Sequence, residues 1–298
     1  MKTAVVGHCE VVEFARVDHV PTPGEIVHTK ETWTAAAGGG AVAAVQLYKL
    51  SGDTTFFTAF GDDELGHRAF DELRDHGLQL ECTYLDEPQR RGFTYIDKDG
   101  ERTITVIGRK LGARAEDPLP WEALDEIGAV YFTGGDAGAL REARRARVLV
   151  ATARELPTLI EARVELDAVV HSATDSGERY QVGELDPPPR LVVSTEGRKG
   201  GRFVARDHEG RWEAEPPPGP VVDAYGAGDS FAAGLAFALG EGKAPQEALE
   251  FASRCGASAM TGRAPFGGQL TLIEGSAPER STRSGGSGGA SGIAAGTA

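Results

Sequence analysis

The run Asp223-Ala224-Tyr225-Gly226-Ala227-Gly228-Asp229-Ser230-Phe231 sets an acid directly behind a stretch of small residues. Apolar positions at Phe231, Leu235 and Leu239 recur every four residues, which predicts a helix opening near Gly228 with the small-residue loop at its N-terminus. The free amides of Ala227, Gly228 and Asp229 would then point toward one spot. With the helix dipole behind them they make a site for a phosphate, and glycine permits close backbone approach. An aspartate at that mouth repels the ligand the amides attract, so its charge needs a use. Phosphoryl transfer supplies one: the amides stabilise charge on the transferring group while the carboxylate takes the proton from the attacking hydroxyl. On these residues alone, Asp229 is either that base or a plain helix N-cap.

A second glycine cluster, Gly38-Gly39-Gly40, precedes the helical run Ala41–Leu50. Its glycines let a strand turn tightly into a helix beside a small ligand. Asp62 or Asp63 is placed to cap the helix predicted over Glu64–Asp75. A further helix is predicted over Pro245–Met260.

These loops need a scaffold, and the repeating unit of the chain is a short apolar run, a glycine-containing turn and a stretch of helical spacing. Central strands are expected at Thr3–Val6, Thr54–Ala59, Ala129–Phe132, Val148–Ala151, Ala168–Val170 and Leu191–Ser194. The result is an α/β fold with an open, mostly parallel sheet covered by helices on both faces. Phe93–Ile96 and Thr103–Ile107 break the rhythm as a hairpin around Asp97-Lys98-Asp99-Gly100. Joined by the segment from about residue 11 to 32, it is expected to form a small second sheet, a candidate lid. After about Gly275 the composition collapses to Ser, Gly, Ala and Thr, and disorder is expected over 277–298, leaving 1–276 as one domain.

Composition narrows the partners. Among 298 residues, 31 basic against 45 acidic residues give a net charge of −14, with no basic block, so nucleic acid and anionic membrane surfaces are poor partners. No apolar run approaches the roughly 18 residues that span a bilayer, and a cytoplasmic location is expected. The three cysteines are scattered, indicating neither a disulfide framework nor a metal clip, and none of the seven histidines sits at a metal spacing. A dinucleotide-dependent oxidoreductase would need G-x-G-x-x-G after the first strand, and Gly7 stands there without it.

Asp223 to Phe231 resembles the C-terminal signature of the PfkB-type (ribokinase-like) carbohydrate kinases, D-T-x-G-A-G-D-x-F, with Ala224 and Tyr225 as departures. Gly38 to Leu50 followed by Phe60-Gly61-Asp62-Asp63-Glu64-Leu65-Gly66 resembles the family's N-terminal signature. The resemblance runs in order through residues 1 to 270. It implies a ribokinase-like three-layer sandwich with a small β lid, ATP with Mg2+ as donor, and a monovalent cation such as K+ near Asp223.

It also implies site residues. Asp229 becomes the base, and Gly226, Ala227 and Gly228 the anion hole. Gly38, Gly39, Gly40 and Val42 face the substrate, Val42 standing where the family has a sugar-binding Asn. Glu10, near a replaced Asp, is a hydroxyl acceptor or a solvated lid-edge acid. Val192–Gly201 resembles the T-x-G-x-x-G turn near the nucleotide phosphates, pointing to Thr195, Gly197 and Gly200. The family's N-x-x-E motif is reduced to Ser172-Ala173-Thr174-Asp175, where Asp175 either holds a magnesium-bound water or is a surface acid. Cys255, Ala257 and Ala259 line an adenine slot or simply pack helices. Many relatives pair through their lids, which makes a homodimer an expectation too. The acceptor stays open among ribose, fructose, a sugar acid and a nucleoside. The competing reading is an inactive nucleotide- or metabolite-binding regulator on the same fold, motivated by Val42 and the reduced N-x-x-E motif.

Overall fold

The computed structural model describes residues 1–273, and the Ser/Gly-rich tail lies outside them. The chain opens with β1 (Thr3–Val6), β2 (Glu10–Arg16), β3 (Glu31–Ala37), α1 (Gly39–Ser51), β4 (Thr54–Gly61), α2 (Glu64–Asp75) and β5 (Gln79–Leu85). The hairpin β6 (Arg91–Ile96) and β7 (Arg102–Ile107) follows. Alternation then resumes with β8 (Ala129–Phe132), α3 (Ala137–Ala143), β9 (Leu149–Thr152), α4 (Leu156–Ala162), β10 (Ala168–Ser172) and β11 (Leu191–Thr195). A hairpin of β12 (Gly201–Ala205) and β13 (Glu209–Trp212) precedes α5 (Ala227–Gly240) and α6 (Pro245–Ala259).

Nine strands form the main sheet in the order β13-β12-β11-β10-β9-β8-β1-β4-β5. Every pairing from β11 to β5 is parallel, and only the β12–β13 end is antiparallel. The strands alternate faces, as a period of two requires. Val5 of β1 enters one core with residues of α1, α5 and α6, while Ala4 and Val6 enter the other with residues of α3 and α4. The predicted three layers and all six predicted central strands are present, β9 lying one residue later than expected. Sequence patterning missed β5, an edge strand with mixed exposure, and the seven-residue helices α3 and α4, too short for a clear period.

The second sheet runs β3-β2-β6-β7. β6 and β7 pair as the expected hairpin, while β2 joins β6 in parallel. The segment expected over 11–32 supplies β2 and β3, with β3 continuing to Ala37 and so leading straight into the Gly38 turn. Phe14 of β2 stacks on Trp33 at 5.1 Å and meets Tyr225 edge-on at 5.0 Å, tying this sheet to the loop before α5.

Chain order sets the location of the site. From β1 the chain builds outward through β4 and β5 on one side, then returns to build β8 through β11 on the other. The crevice where this reversal occurs, at the carboxyl ends of β1 and β8, is where ligands bind in open α/β sheets. Among the described residues, no helix is long and apolar enough to cross a membrane.

Candidate active site

α5 begins at Ala227, with Gly226 before it at φ 76°, a left-handed conformation that suits glycine. The Ala227 amide is spent on a long 3.5 Å bond to the Ala224 carbonyl, whereas those of Gly228 and Asp229 meet no acceptor among the described residues. Two of the three expected amides are therefore free for an anion. No side chain caps α5, so Asp229 is not serving as an N-cap.

The Asp229 carboxylate instead faces the β1–β8 crevice. A Cβ placed on Gly39 would come within 2.7 Å of Asp229 Oδ1 and 3.1 Å of Thr133 Oγ1, so these three residues meet where the strand order reverses. Burial pushes the Asp229 carboxyl up to about 6, and the charge of Glu178 adds to this, against the pull of His8, Arg102 and Arg154.

One end of the crevice is lined by residues just after β1, on β2 and in the Gly38 turn. His8 Nδ1 lies 3.0 Å from the Thr133 carbonyl, and Gly40 packs so closely that a Cβ would fall 2.5 Å from the His8 carbonyl oxygen. Glu10 is 6% exposed, which rules out a solvated lid-edge acid. Its Oε1 lies 2.8 Å from Arg90 Nε and 3.5 Å from His8 Nε2. Burial would raise the Glu10 carboxyl, but His8, Arg90 and Lys110 together hold it below the usual carboxylate value.

Gly38 has φ 86°, and its amide donates to the Tyr225 hydroxyl at 3.1 Å. Tyr225, a departure from the family signature, thus bolts one glycine turn to the other. Tyr225→Phe leaves the buried Gly38 amide without a partner, and thermal or denaturant unfolding is expected to show a loss of about 1–3 kcal/mol. An unchanged stability would mean the amide finds another acceptor.

Several expected ligand contacts turn out to be internal. Val42 has no exposed surface and packs under the Gly226 loop, its Cγ1 lying 2.8 Å from where a Gly226 Cβ would be. The Asn-to-Val exchange therefore sits beneath the loop and does not line the crevice. Asp223 is also fully buried: Oδ1 accepts from the Tyr225 amide at 3.0 Å and Oδ2 from the Ala264 amide at 2.8 Å, which makes it a clamp on the loop. Cys255 is buried in the α5–α6 contact, 2.7 Å from a Cβ on Gly234, and Ala259 is buried near the end of the same helix. Neither offers a face to adenine.

Asp175 caps a short turn, Oδ1 accepting from the Gly177 amide and Oδ2 from Arg154 Nη2, both at 2.8 Å. Both oxygens of this exposed carboxylate thus each have a partner within the turn and its neighbour Arg154. Among the described residues no group of three or more His, Cys, Asp or Glu could hold a metal ion. Gly200 is needed by the β11–β12 turn, since a Cβ would fall 2.0 Å from the Trp212 carbonyl oxygen. Thr195 and the exposed Gly197 do stand together at the carboxyl end of β11, and Asp63 caps α2 through the Gly66 amide at 2.8 Å.

His8, Arg102, Thr133, Arg154 and Glu178 were not foreseen as part of the site. Thr133-Gly134-Gly135 directly after an apolar strand was the available signal for Thr133, whereas His8, Arg102, Arg154 and Glu178 arrive from separate segments.

The sequence profile of the pfkB family carbohydrate kinases matches residues 1–155 and 148–265. A ribokinase of Bacillus subtilis (strain 168) is 27% identical over 91% of this chain and 96% of its own length. Fructokinase-2 of Zea mays is 28% identical over 84% of this chain and 88% of its own. Among solved structures, a Thermotoga maritima ribokinase superposes with TM-score 0.70 at 22% identity, covering 89% of this chain and 94% of that one. An Arabidopsis thaliana ribokinase complexed with ribose and ATP superposes with TM-score 0.66 at 21% identity, covering 87% and 92%. With the profile matching nearly the whole described chain, the protein belongs to the pfkB carbohydrate kinase family.

Proposed function

We propose that this sugar kinase transfers the γ-phosphoryl group of ATP to a hydroxyl of a sugar or sugar-like metabolite, with Asp229 as general base. The observation that carries this reading is the Asp229 carboxylate beside Gly39 and Thr133, at the switch point and next to the free amides of Gly228 and Asp229. A hydroxyl seated over Gly39 is within reach of the base. The amides then meet the charge on the group being transferred. His8, Glu10 and the Gly38–Gly39 turn offer the polar wall for the remaining hydroxyls, and ATP lies along the carboxyl ends of β9 to β11, its phosphates toward Thr195 and Gly197.

ATP as donor rests on the relatives, one of them solved with ribose and ATP. Magnesium bound with the nucleotide would supply neutralisation of phosphate charge. No protein carboxylate is assigned to it, and each Asp223 carboxylate oxygen already accepts one backbone amide. Pairing of two copies through the lid is supported by the exposed Ile104, Val106 and Ile107 on the edge strand β7. The inactive-regulator alternative gains no support: Asp229 makes no cap bond that would give its buried charge a structural use.

ADP release from MgATP, measured across ribose, fructose, sugar acids and nucleosides, tests the reading. Acceptor-dependent ADP would support it, while silence across the panel with ATP still bound would favour the regulator. A pH dependence follows from the raised carboxyl. A base works only when deprotonated, so kcat/KM is expected to fall as pH drops through about 6, not near the ordinary 3.8 of an aspartate. A profile flat down to pH 5 would contradict this.

A further inference from the structure

The lid sheet is fastened to the anion loop by its hairpin turn. The Ala224 amide donates to the Gly100 carbonyl at 3.0 Å, Arg102 Nη1 to the Ala224 carbonyl at 3.0 Å, and Arg16 Nη1 to the Val222 carbonyl at 3.2 Å. Arg102, at the start of β7, is thus carried by the lid to the mouth of the Gly226–Asp229 loop. Its situation differs from that of Arg154, the other arginine whose charge acts on Asp229. Arg154 is saturated by Asp175 at 2.8 Å and Glu178 at 2.6 Å. Arg102 has no carboxylate within ion-pairing distance among the described residues, and its neighbour Glu101 faces Arg198 at 3.7 Å instead.

A single bond to a carbonyl leaves most of the guanidinium fork unused. Yet the side chain is exposed, and its positive charge is felt by Asp175 and by Asp223 and Asp229, residues contributed by two separate segments. An arginine fixed at one nitrogen, free at the others and set beside an anion-binding helix start is arranged to receive a tetrahedral anion. We propose that Arg102 is a catalytic residue that the lid brings onto the γ-phosphoryl group of the nucleotide, completing the anion hole begun by the Gly228 and Asp229 amides. Transfer spreads charge over the equatorial oxygens of that group, and a planar fork can hold two of them at once. This rests on the kinase reading above.

The competing role is a brace, in which Arg102 only holds the lid against Ala224. Titration calorimetry with magnesium β,γ-imido-ATP and with ADP separates the two, using the full chain and the Arg102→Ala and Arg102→Lys variants. A γ-phosphoryl contact predicts triphosphate affinity about tenfold or more weaker in Arg102→Ala, less so in Arg102→Lys, with ADP affinity unchanged. Equal weakening of both nucleotides, or of neither, overturns the proposal in favour of the brace. Arg102→Gln, which keeps an N–H donor but no charge, reads the same comparison should the alanine variant not fold. If the unaltered protein binds neither nucleotide, the kinase reading itself falls, which is a different result from a kinase that does not need Arg102.

Discussion

Asp229→Asn is expected to lower turnover by a factor on the order of 10² or more while leaving MgATP binding nearly intact. Asparagine keeps the shape and cannot take a proton, so the loss isolates base catalysis from positioning. The same variant is expected to be more stable than the unaltered protein at neutral pH. Burial lifts the Asp229 carboxyl from 3.8 to about 6, which means the folded state disfavours its charged form. The sign follows from proton binding: between those two values the folded chain holds a proton that the unfolded chain has lost, so stability declines as pH rises through that window. Above it the ionised carboxylate is a constant burden. Melting temperatures of the two proteins should therefore differ at pH 8, the variant higher, and converge as pH falls toward 4. Near-normal turnover in the variant would remove Asp229 as the base, whatever its stability.

Gly39→Ala should be nearly as damaging to activity, for a reason that is purely spatial. The added methyl group would fall 2.7 Å from Asp229 Oδ1 and 3.1 Å from Thr133 Oγ1, occupying the place proposed for the acceptor hydroxyl. The carboxylate is the end of a side chain and can swing aside, so the fold is expected to survive. Turnover is expected to fall about 10²-fold, because misplacing a catalytic group by about 1 Å costs that much. Gly40→Ala makes the contrast: its Cβ would meet the His8 backbone at 2.5 and 2.6 Å, and a backbone cannot swing aside. That variant should lose stability first, visible as a lower melting temperature before any assay of activity. Full activity in Gly39→Ala would place the hydroxyl elsewhere in the crevice.

What the sequence by itself determined were the features written in local spacing. Apolar runs alternating with helical periods predicted the parallel sheet and its six central strands, because burial on both faces demands such runs. The loop at Gly226–Asp229 and the turn at Gly38–Gly40 were legible for the same reason: a left-handed turn and a close approach of backbone need glycine wherever they occur. The β6–β7 hairpin, too, was visible in the two alternating strands around Asp97–Gly100. Side-chain roles were another matter. Val42 and Asp223 sit in the right motifs, yet only packing shows that one is a floor under Gly226 and the other a clamp on two amides. Asp175 looked free until folding brought Arg154, 21 residues away in sequence, against it. Tyr225 read as a blemish in a signature until its hydroxyl proved to receive the Gly38 amide, 187 residues distant. Tertiary structure decided these because burial and partnership are properties of distant segments meeting, and a residue's type and near neighbours do not say which segment will arrive beside it.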